Sequence, residues 1–206
     1  MKTMKQIPTM LVALMAAMLS FTSCNTESDD YQQLTKEDIQ KCYLTVAGYY
    51  DGKVIFQKNV ADGSTTIKAD SLDVSWRIDT DSTLTIYHLP ASSLCEFISN
   101  DQKELKEALT RATPQTLECL IGFVQLNPIG FLVNPKPITY DVEYGGQWHK
   151  VEFRFWINSY SSCGIYNTAD RSLSMQVLMG AIFVDGEQKN SYLTESVVPL
   201  IFKNKI

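Results

Sequence analysis

The chain has 206 residues, of which 45% are hydrophobic, 11% aromatic and 20% charged. This composition is typical of one globular domain and excludes disordered, collagen-like and coiled-coil chains. The formal net charge is -5. The chain therefore lacks the basic stripe with which nucleic-acid-binding proteins neutralise phosphates, and we expect no nucleic-acid partner.

The first 23 residues have the pattern of a bacterial export signal. Lys2 and Lys5 are followed by twelve mostly apolar residues at 10–21 (MLVALMAAMLSF), which is shorter than the roughly 20 residues that a membrane-spanning helix needs. Residues 21–24 (FTSC) resemble a lipobox, in which the cysteine is lipidated after cleavage. Phe21 stands where a lipobox usually has Leu, so secretory cleavage without lipid and an uncleaved anchor are the alternatives.

These features divide the chain into three parts. We expect a lipoprotein signal peptide at 1–23, an acidic tether at 24–33 that contains NTESDD, and a single β-rich domain at 34–206. Lipid on Cys24 would bind the membrane. The predicted location is the cell envelope, as an outer-membrane lipoprotein that is either surface-exposed or periplasmic.

Four cysteines remain in the predicted domain, and they have no CxxC or zinc-knuckle spacing. Three disulfide pairings are possible among them. Free, buried thiols are the favoured interpretation, because a core of this size needs no covalent cross-links. The four are Cys42, Cys95, Cys119 and Cys163.

The first half of the domain predicts one short helix and then strands. Thr35 and Asp38 have capping-box spacing, which indicates a helix from Lys36 to about Lys41. Strands are predicted at 42–50 and 53–58, joined by a two-residue turn at Asp51-Gly52. Further strands are predicted at 73–79 and 83–89.

After these strands the spacing of the apolar residues changes to the three- and four-residue period of helices. Ser93 and Glu96 again have capping-box spacing, and an apolar stripe continues to Ala112, so a helical segment is expected near 93–112. Strands at 116–126 and 130–133 follow.

Two hairpins complete the domain. A turn at Gly145-Gly146 would pair Tyr144 with Gln147, Val142 with His149 and Tyr140 with Val151. The second hairpin joins 173–184 to 191–202, with a bulge near Gly180.

Together these elements predict a mainly β (α+β) fold. We expect an antiparallel sandwich or partly closed barrel of nine or ten strands, with the helical segment packed at one end. A closed, lipocalin-like barrel is the alternative.

No catalytic, metal or cofactor site is predicted. His88 and His149 lie on different strands without metal-ligand spacing, and both are interpreted as histidines at the edge of the core. The sequence has no GxSxG motif and no glycine-rich phosphate loop. Asp79 and Asp81 are the carboxylate pair that a glycan hydrolase would need, although acids at strand ends are common in turns.

A contact surface is predicted on the polar face of the strand at 147–158. Trp148, Arg154 and Trp156 share that face, and tryptophans directed toward water indicate contact with a ligand or partner. Burial under another element is the alternative, and Arg154 beside Trp156 would form a cation–π pair.

The chain resembles a family of small uncharacterised lipoproteins of gut Bacteroidota that contain a domain of unknown function. The resemblance lies in the lipobox, the acidic tether, and residues 34–56 (LTKEDIQKCYLTVAGYYDGKVIF) and 86–109 (IYHLPASSLCEFISNDQKELKEAL). It implies no catalytic residue. The sequences around Ser71 (DSL) and Ser82 (DST) also resemble the O-glycosylation site of exported proteins in those bacteria.

The function expected from the sequence is that of a lipid-anchored cell-envelope protein with a non-catalytic binding or scaffold domain at the outer membrane. Its partner, a glycan or a protein, is left open. A carboxylate-dependent glycan hydrolase and an accessory subunit of a surface complex are the alternatives.

Overall fold

The computed structural model describes residues 33–58 and 68–205. Three α-helices and eleven strands lie in this part of the chain. The helices are α1 (Lys36–Val46), α2 (Ser92–Cys95) and α3 (Lys103–Thr110), with short 3-10 helices at Asn100–Gln102 and Asn190–Tyr192. The strands are β1 (Gly48–Lys58), β2 (Lys68–Ile78), β3 (Thr83–Leu89), β4 (Gln115–Leu126), β5 (Ile129–Pro135), β6 (Ile138–Tyr144), β7 (Gln147–Phe155), β8 (Cys163–Asn167), β9 (Ser172–Val184), β10 (Glu187–Gln188) and β11 (Val198–Asn204).

Eight of the strands form a closed antiparallel barrel. The sheet runs β11-β1-β2-β3-β4-β5-β8-β9, and β9 then pairs with β11, which returns the sheet to its start. Residues 174–176 of β9 are paired with β8 and with β11 at once. The predicted mainly β fold is confirmed, and its closed-barrel alternative is the architecture observed.

The C-terminal part of β9 leaves the barrel and forms a second, smaller sheet. Beyond Met179 it pairs with β7, which continues the sheet to β6, and with the short β10. The inner side of this extension packs on the helical segment, with α3 against β6. The Tyr140 hydroxyl donates a hydrogen bond to the Leu89 carbonyl at 3.0 Å, which ties β6 to the end of β3.

The lumen of the barrel is filled by side chains, as is typical of barrels with eight strands. One layer of side chains shows this filling. Across the neighbouring strands β1, β11, β9, β8 and β5, the paired residues are Val54, Phe202, Met175, Gly164 and Phe131. The other lumen-facing positions are also mostly apolar and buried, among them Phe56, Val74, Trp76, Ile86, Leu117, Ile121, Val133, Leu173, Val177 and Leu200. The barrel interior is therefore packed core.

Two glycines on the lumen side leave room for large rings. A Cβ atom at Gly52 would collide with the Trp76 ring and with the Lys203 carbonyl oxygen, and one at Gly164 would collide with the Phe131 ring. Trp76 is fully buried and stacks on Tyr50, with ring centroids 6.0 Å apart. In the lumen, a glycine thus lies beside each of the two large rings of Trp76 and Phe131, so that small and large residues pack together.

Helices lie at both ends of the barrel. At the end where β1 begins and β4 ends, α1 packs against β4, and the Tyr43 hydroxyl donates to the Asp79 carbonyl at 2.9 Å. At the other end α2 contacts β1. No helix within the described ranges has the length and apolar character to cross a membrane.

All four cysteines of the domain are buried, and they form no disulfide with one another. Burial raises the pKa of the Cys95 thiol to about 12 and that of Cys163 to about 11, and it raises the pKa of Cys42 and Cys119. Because the thiolate is the reactive form, these residues serve as packing groups of the core.

Several sequence predictions are confirmed. The Thr35–Asp38 capping box is present and begins α1. The β6–β7 register is the predicted one, from Tyr144 opposite Gln147 to Tyr140 opposite Val151. The bulge at Gly180 appears as a register shift between β7 and β9.

Other predictions are wrong, each for a physical reason. Residues 42–46 continue α1, and Gly48–Lys58 is one strand. Gly52 lies within it opposite Val74, where its missing side chain leaves room for the Trp76 ring. The Ser93 hydroxyl donates back to the Pro90 carbonyl instead of capping a helix with Glu96. The two segments of the predicted C-terminal hairpin do pair antiparallel, as β9 and β11. The tight turn at Asp185-Gly186 is instead followed by the two-residue β10, and β11 begins only at Val198.

Substitution of Gly52 by alanine tests whether the lumen is packed against the backbone. We expect Gly52→Ala to lower the free energy of unfolding by about 3 kcal/mol or more, because the Lys203 carbonyl cannot turn away as a side chain can. Gly122→Ala is the matched control, since a Cβ atom there meets nothing within 4 Å, and we expect a change below about 1 kcal/mol. Urea unfolding followed by circular dichroism measures both, and equal effects would contradict the packed lumen.

Candidate functional site

The outer face of β7 carries the contact residues predicted from the sequence. Trp148 is 71% exposed and Trp156 is 49% exposed, so no element within the described residues covers them. The alternative of burial under a helix is therefore wrong, because the helical segment packs on the opposite side of this sheet.

Arg154 does not pair with Trp156 as predicted. Its guanidinium lies over the Phe183 ring, 3.9 Å from the ring centroid, and its Nε donates to the Glu152 carboxylate at 2.6 Å. Trp156 instead packs on Gly180, where a Cβ atom would collide with the indole ring. The bulge at Gly180, where no side chain is present, thus leaves the space that the Trp156 indole occupies.

Trp156 begins a loop that we call the aromatic loop (residues 156–162). Besides Trp156 it exposes Ile157, with 58% of its surface accessible, and Tyr160, with 68%. The strand predicted at 147–158 places Ile157 on its core face, which is wrong because β7 ends at Phe155. Tyr160 lies beyond the predicted strand, where alternation no longer indicates direction.

The aromatic loop is held firmly against the barrel despite its exposed side chains. Asn134 and Asn158 join its middle to β5: the Asn158 backbone N–H donates to the Asn134 side chain at 2.6 Å, and the Asn134 amide donates back at 3.2 Å. The buried Gln176 side chain donates to the Ser161 carbonyl at 2.8 Å. Asn158 has a φ of 53°, a conformation that asparagine tolerates better than most residues. The loop is therefore pre-organised.

A second feature lies at the end of the barrel beside α1. A cavity of about 460 Å³ lies between the C-terminus of α1, the start of β1 and the β8–β9 turn, and we call it the vestibule. Its lining residues are Thr45, Ala47, Gly48, Tyr49, Tyr50, Tyr166, Thr168 and Arg171. Tyr50 and Tyr166 occupy lumen-facing positions of their strands, so they form its floor above the packed core.

The two floor tyrosines differ in their hydrogen bonding. The Tyr50 hydroxyl donates to the Val46 carbonyl at 2.6 Å, and burial raises its pKa to about 12. Tyr166 is 7% exposed as a whole residue, and its hydroxyl is not one of the buried polar atoms left without a partner among the described residues. A hydroxyl that reaches the solvent of an open cavity can exchange its water for a ligand.

The charge of the vestibule comes from Arg171. It lies in the β8–β9 turn with a φ of 56°, and its guanidinium forms no ion pair with any described residue. Hydrogen bonds from the Ser172 side chain and from the Ser172 N–H, the latter at 3.0 Å, lower the pKa of the neighbouring Asp170 carboxyl. The sequence analysis missed these residues because α1 and β8, which are far apart in the chain, bring them together.

The two histidines are placed differently. His149 is half-buried opposite Val142 as predicted, and its Nδ1 is 2.7 Å from the Asp185 carboxylate. The Lys150 N–H and His149 lower the pKa of Asp185, and Tyr144 stacks on the imidazole at 4.1 Å. This contact joins the β6–β7 hairpin to the β9–β10 turn. The prediction for His88 is wrong: a bulge before Leu89 turns it outward, with a φ of 54°.

The remaining candidates lie apart from one another. Asp79 accepts a hydrogen bond from the Thr85 hydroxyl at 2.7 Å, and its carboxylate lies 3.6 Å from Arg77, so it is engaged in the β2–β3 turn region. Ser82 is exposed in the same turn, whereas Ser71 is half-buried within β2. Cys24 lies outside the described residues. In the part of the chain that the structure covers, no cluster of His, Cys, Asp and Glu has the arrangement of a metal site.

Comparison with known proteins identifies the family of the chain. Neither a curated protein nor a solved structure matches it significantly. A family model, described as a domain of unknown function, matches residues 45–184. The match covers most of the chain and includes the strands β1–β9. The chain therefore belongs to this family, DUF4840.

Proposed function

We propose that the protein is a lipid-anchored scaffold of the bacterial outer membrane that holds a protein partner through its aromatic loop. The observation that carries the proposal is the exposure of Trp156, Ile157 and Tyr160 on a loop fixed by its own hydrogen bonds. Attachment through Cys24 and the origin of the chain in gut Bacteroidota are the parts of the proposal that rest on sequence.

The packed lumen supports a role on the outer surface. Barrels that carry a small ligand inside keep an interior cavity for it. Here Trp76, Phe131 and Phe202 occupy that space and are fully buried. A partner is therefore expected to meet the outside of the barrel or its rim.

The aromatic loop has the properties of a protein-binding surface. Tryptophan and tyrosine are enriched among the residues that contribute most to protein interfaces. A loop that is already ordered loses little conformational entropy on binding. The bond between Gln176 and the Ser161 carbonyl and the Asn134–Asn158 pair supply that order.

The tether limits where the partner can be. A ten-residue segment such as 24–33 spans at most about 35 Å when fully extended. Lipid attached to Cys24 would therefore keep the domain close to the membrane, and the partner is expected to be a membrane-associated protein.

The lipid anchor is tested by replacing its cysteine. In intact cells we expect the wild-type protein in the membrane fraction and a Cys24→Ala variant released from it, because the acyl chains provide the binding energy. Protease treatment of the same cells distinguishes a surface location, where the protein is digested, from the periplasmic face, where it is protected. Unchanged membrane association of the variant would contradict the anchor.

The aromatic loop is tested by photo-crosslinking in cells. A benzoylphenylalanine placed at Tyr160 is expected to give a discrete covalent adduct with one protein. The control is the same probe at Leu44, which is equally exposed, at 68%, but lies on α1. No adduct from position 160, or the same adduct from both positions, would contradict the proposed surface.

A further inference from the structure

We infer that the vestibule binds a sugar acid, a ligand that carries both hydroxyl groups and a carboxylate. This site is separate from the aromatic loop. Arg171 precedes β9, whereas Gly180, on which Trp156 packs, lies nine residues further along. At about 3.4 Å per residue the two features are roughly 30 Å apart.

The size and lining of the vestibule fit a small polar molecule. Its volume of about 460 Å³ lies within the range of about 300 to 1,000 Å³ that ligand pockets occupy. Hydroxyl groups of tyrosines and threonines line it, together with backbone of the α1–β1 junction. Tyr49, which is 59% exposed and stacks on Tyr87 at 6.1 Å, adds an aromatic face at the rim.

One wall of the vestibule accepts hydrogen bonds. The last turn of a helix presents carbonyl oxygens that have no partner within the helix. At the end of α1 the Tyr50 hydroxyl donates a hydrogen bond to the Val46 carbonyl. The adjoining residues Thr45 and Ala47 line the cavity. Because this end of a helix carries partial negative charge, it favours the hydroxyl donors of a sugar over an anionic group.

The opposite wall favours an anion. Arg171 is a guanidinium without an ion pair among the described residues, and a guanidinium donates two parallel hydrogen bonds to a carboxylate. Tyr166 lies on the floor of the cavity, and its hydroxyl is not among the fully buried polar groups, so it is open to a ligand from the cavity. A ligand with hydroxyl groups on one side and a carboxylate on the other can donate hydrogen bonds to the end of α1, bind Arg171 through its carboxylate and contact the Tyr166 hydroxyl.

The test is a calorimetric titration of residues 34–206, which contain the whole described fold, with glucuronate and galacturonate as probes. We expect saturable binding of at least one uronate, with glucose and acetate binding at least tenfold more weakly because each lacks one of the two groups. Arg171→Gln is expected to weaken uronate binding about tenfold or more. Tyr166→Phe is expected to weaken it several-fold without lowering the melting temperature, since the hydroxyl lies at the open cavity rather than among the fully buried polar groups of the described residues.

The matched control is Arg111→Gln, which removes an exposed arginine beside α3 near the other end of the barrel and is expected to leave the affinity unchanged. The inference is overturned if neither uronate binds saturably, if Arg171→Gln and Arg111→Gln have equal effects, or if glucose binds as tightly as the uronates. Glucose 6-phosphate serves as a further probe, and tighter binding of this phosphate than of the uronates would overturn the assignment of a carboxylate. Photo-crosslinking from Tyr160 is independent of all these results.

Discussion

The pairing of β9 with two strands at once is the constraint on which the structure depends. Over residues 174–176 this strand bonds to β8 on one edge and to β11 on the other. A closed barrel has no free edges to pair with other chains. The same strand then continues past Gly180 into the smaller sheet, so one strand both closes the barrel and positions β7 with its exposed tryptophans.

Closure also determines where binding can occur. An eight-stranded barrel is only wide enough for its own side chains, and here Gly52 and Gly164 admit the rings of Trp76 and Phe131. The core consequently reaches up to Tyr50 and Tyr166 at one end. The vestibule above these tyrosines and the aromatic loop at the other end are two places where polar or aromatic groups are exposed.

Local patterns in the sequence predict the β6–β7 hairpin and the start of α1 correctly. The Gly145-Gly146 turn sets the register of β6 and β7, and the Thr35–Asp38 box sets the start of α1, because each depends on residues close in the chain. Gly52 shows the limit of such reasoning: it has the pattern of a turn, but its role is set by Trp76 on the neighbouring strand. The vestibule was not predictable for the same reason, since α1, β1 and the β8–β9 turn meet only after the barrel closes.

Residue-resolved amide hydrogen exchange on residues 34–206 tests barrel closure most directly. If β9 closes the barrel, the amides of β9 and β11 that form the ladder between residues 174–179 and 198–203 exchange only through global unfolding, because opening this ladder breaks the barrel. Amides at the outer edge of β6 are expected to exchange by local opening. Exchange of the β9–β11 ladder as fast as that of the β6 edge would contradict closure, and it would mean that the lumen opens between these two strands.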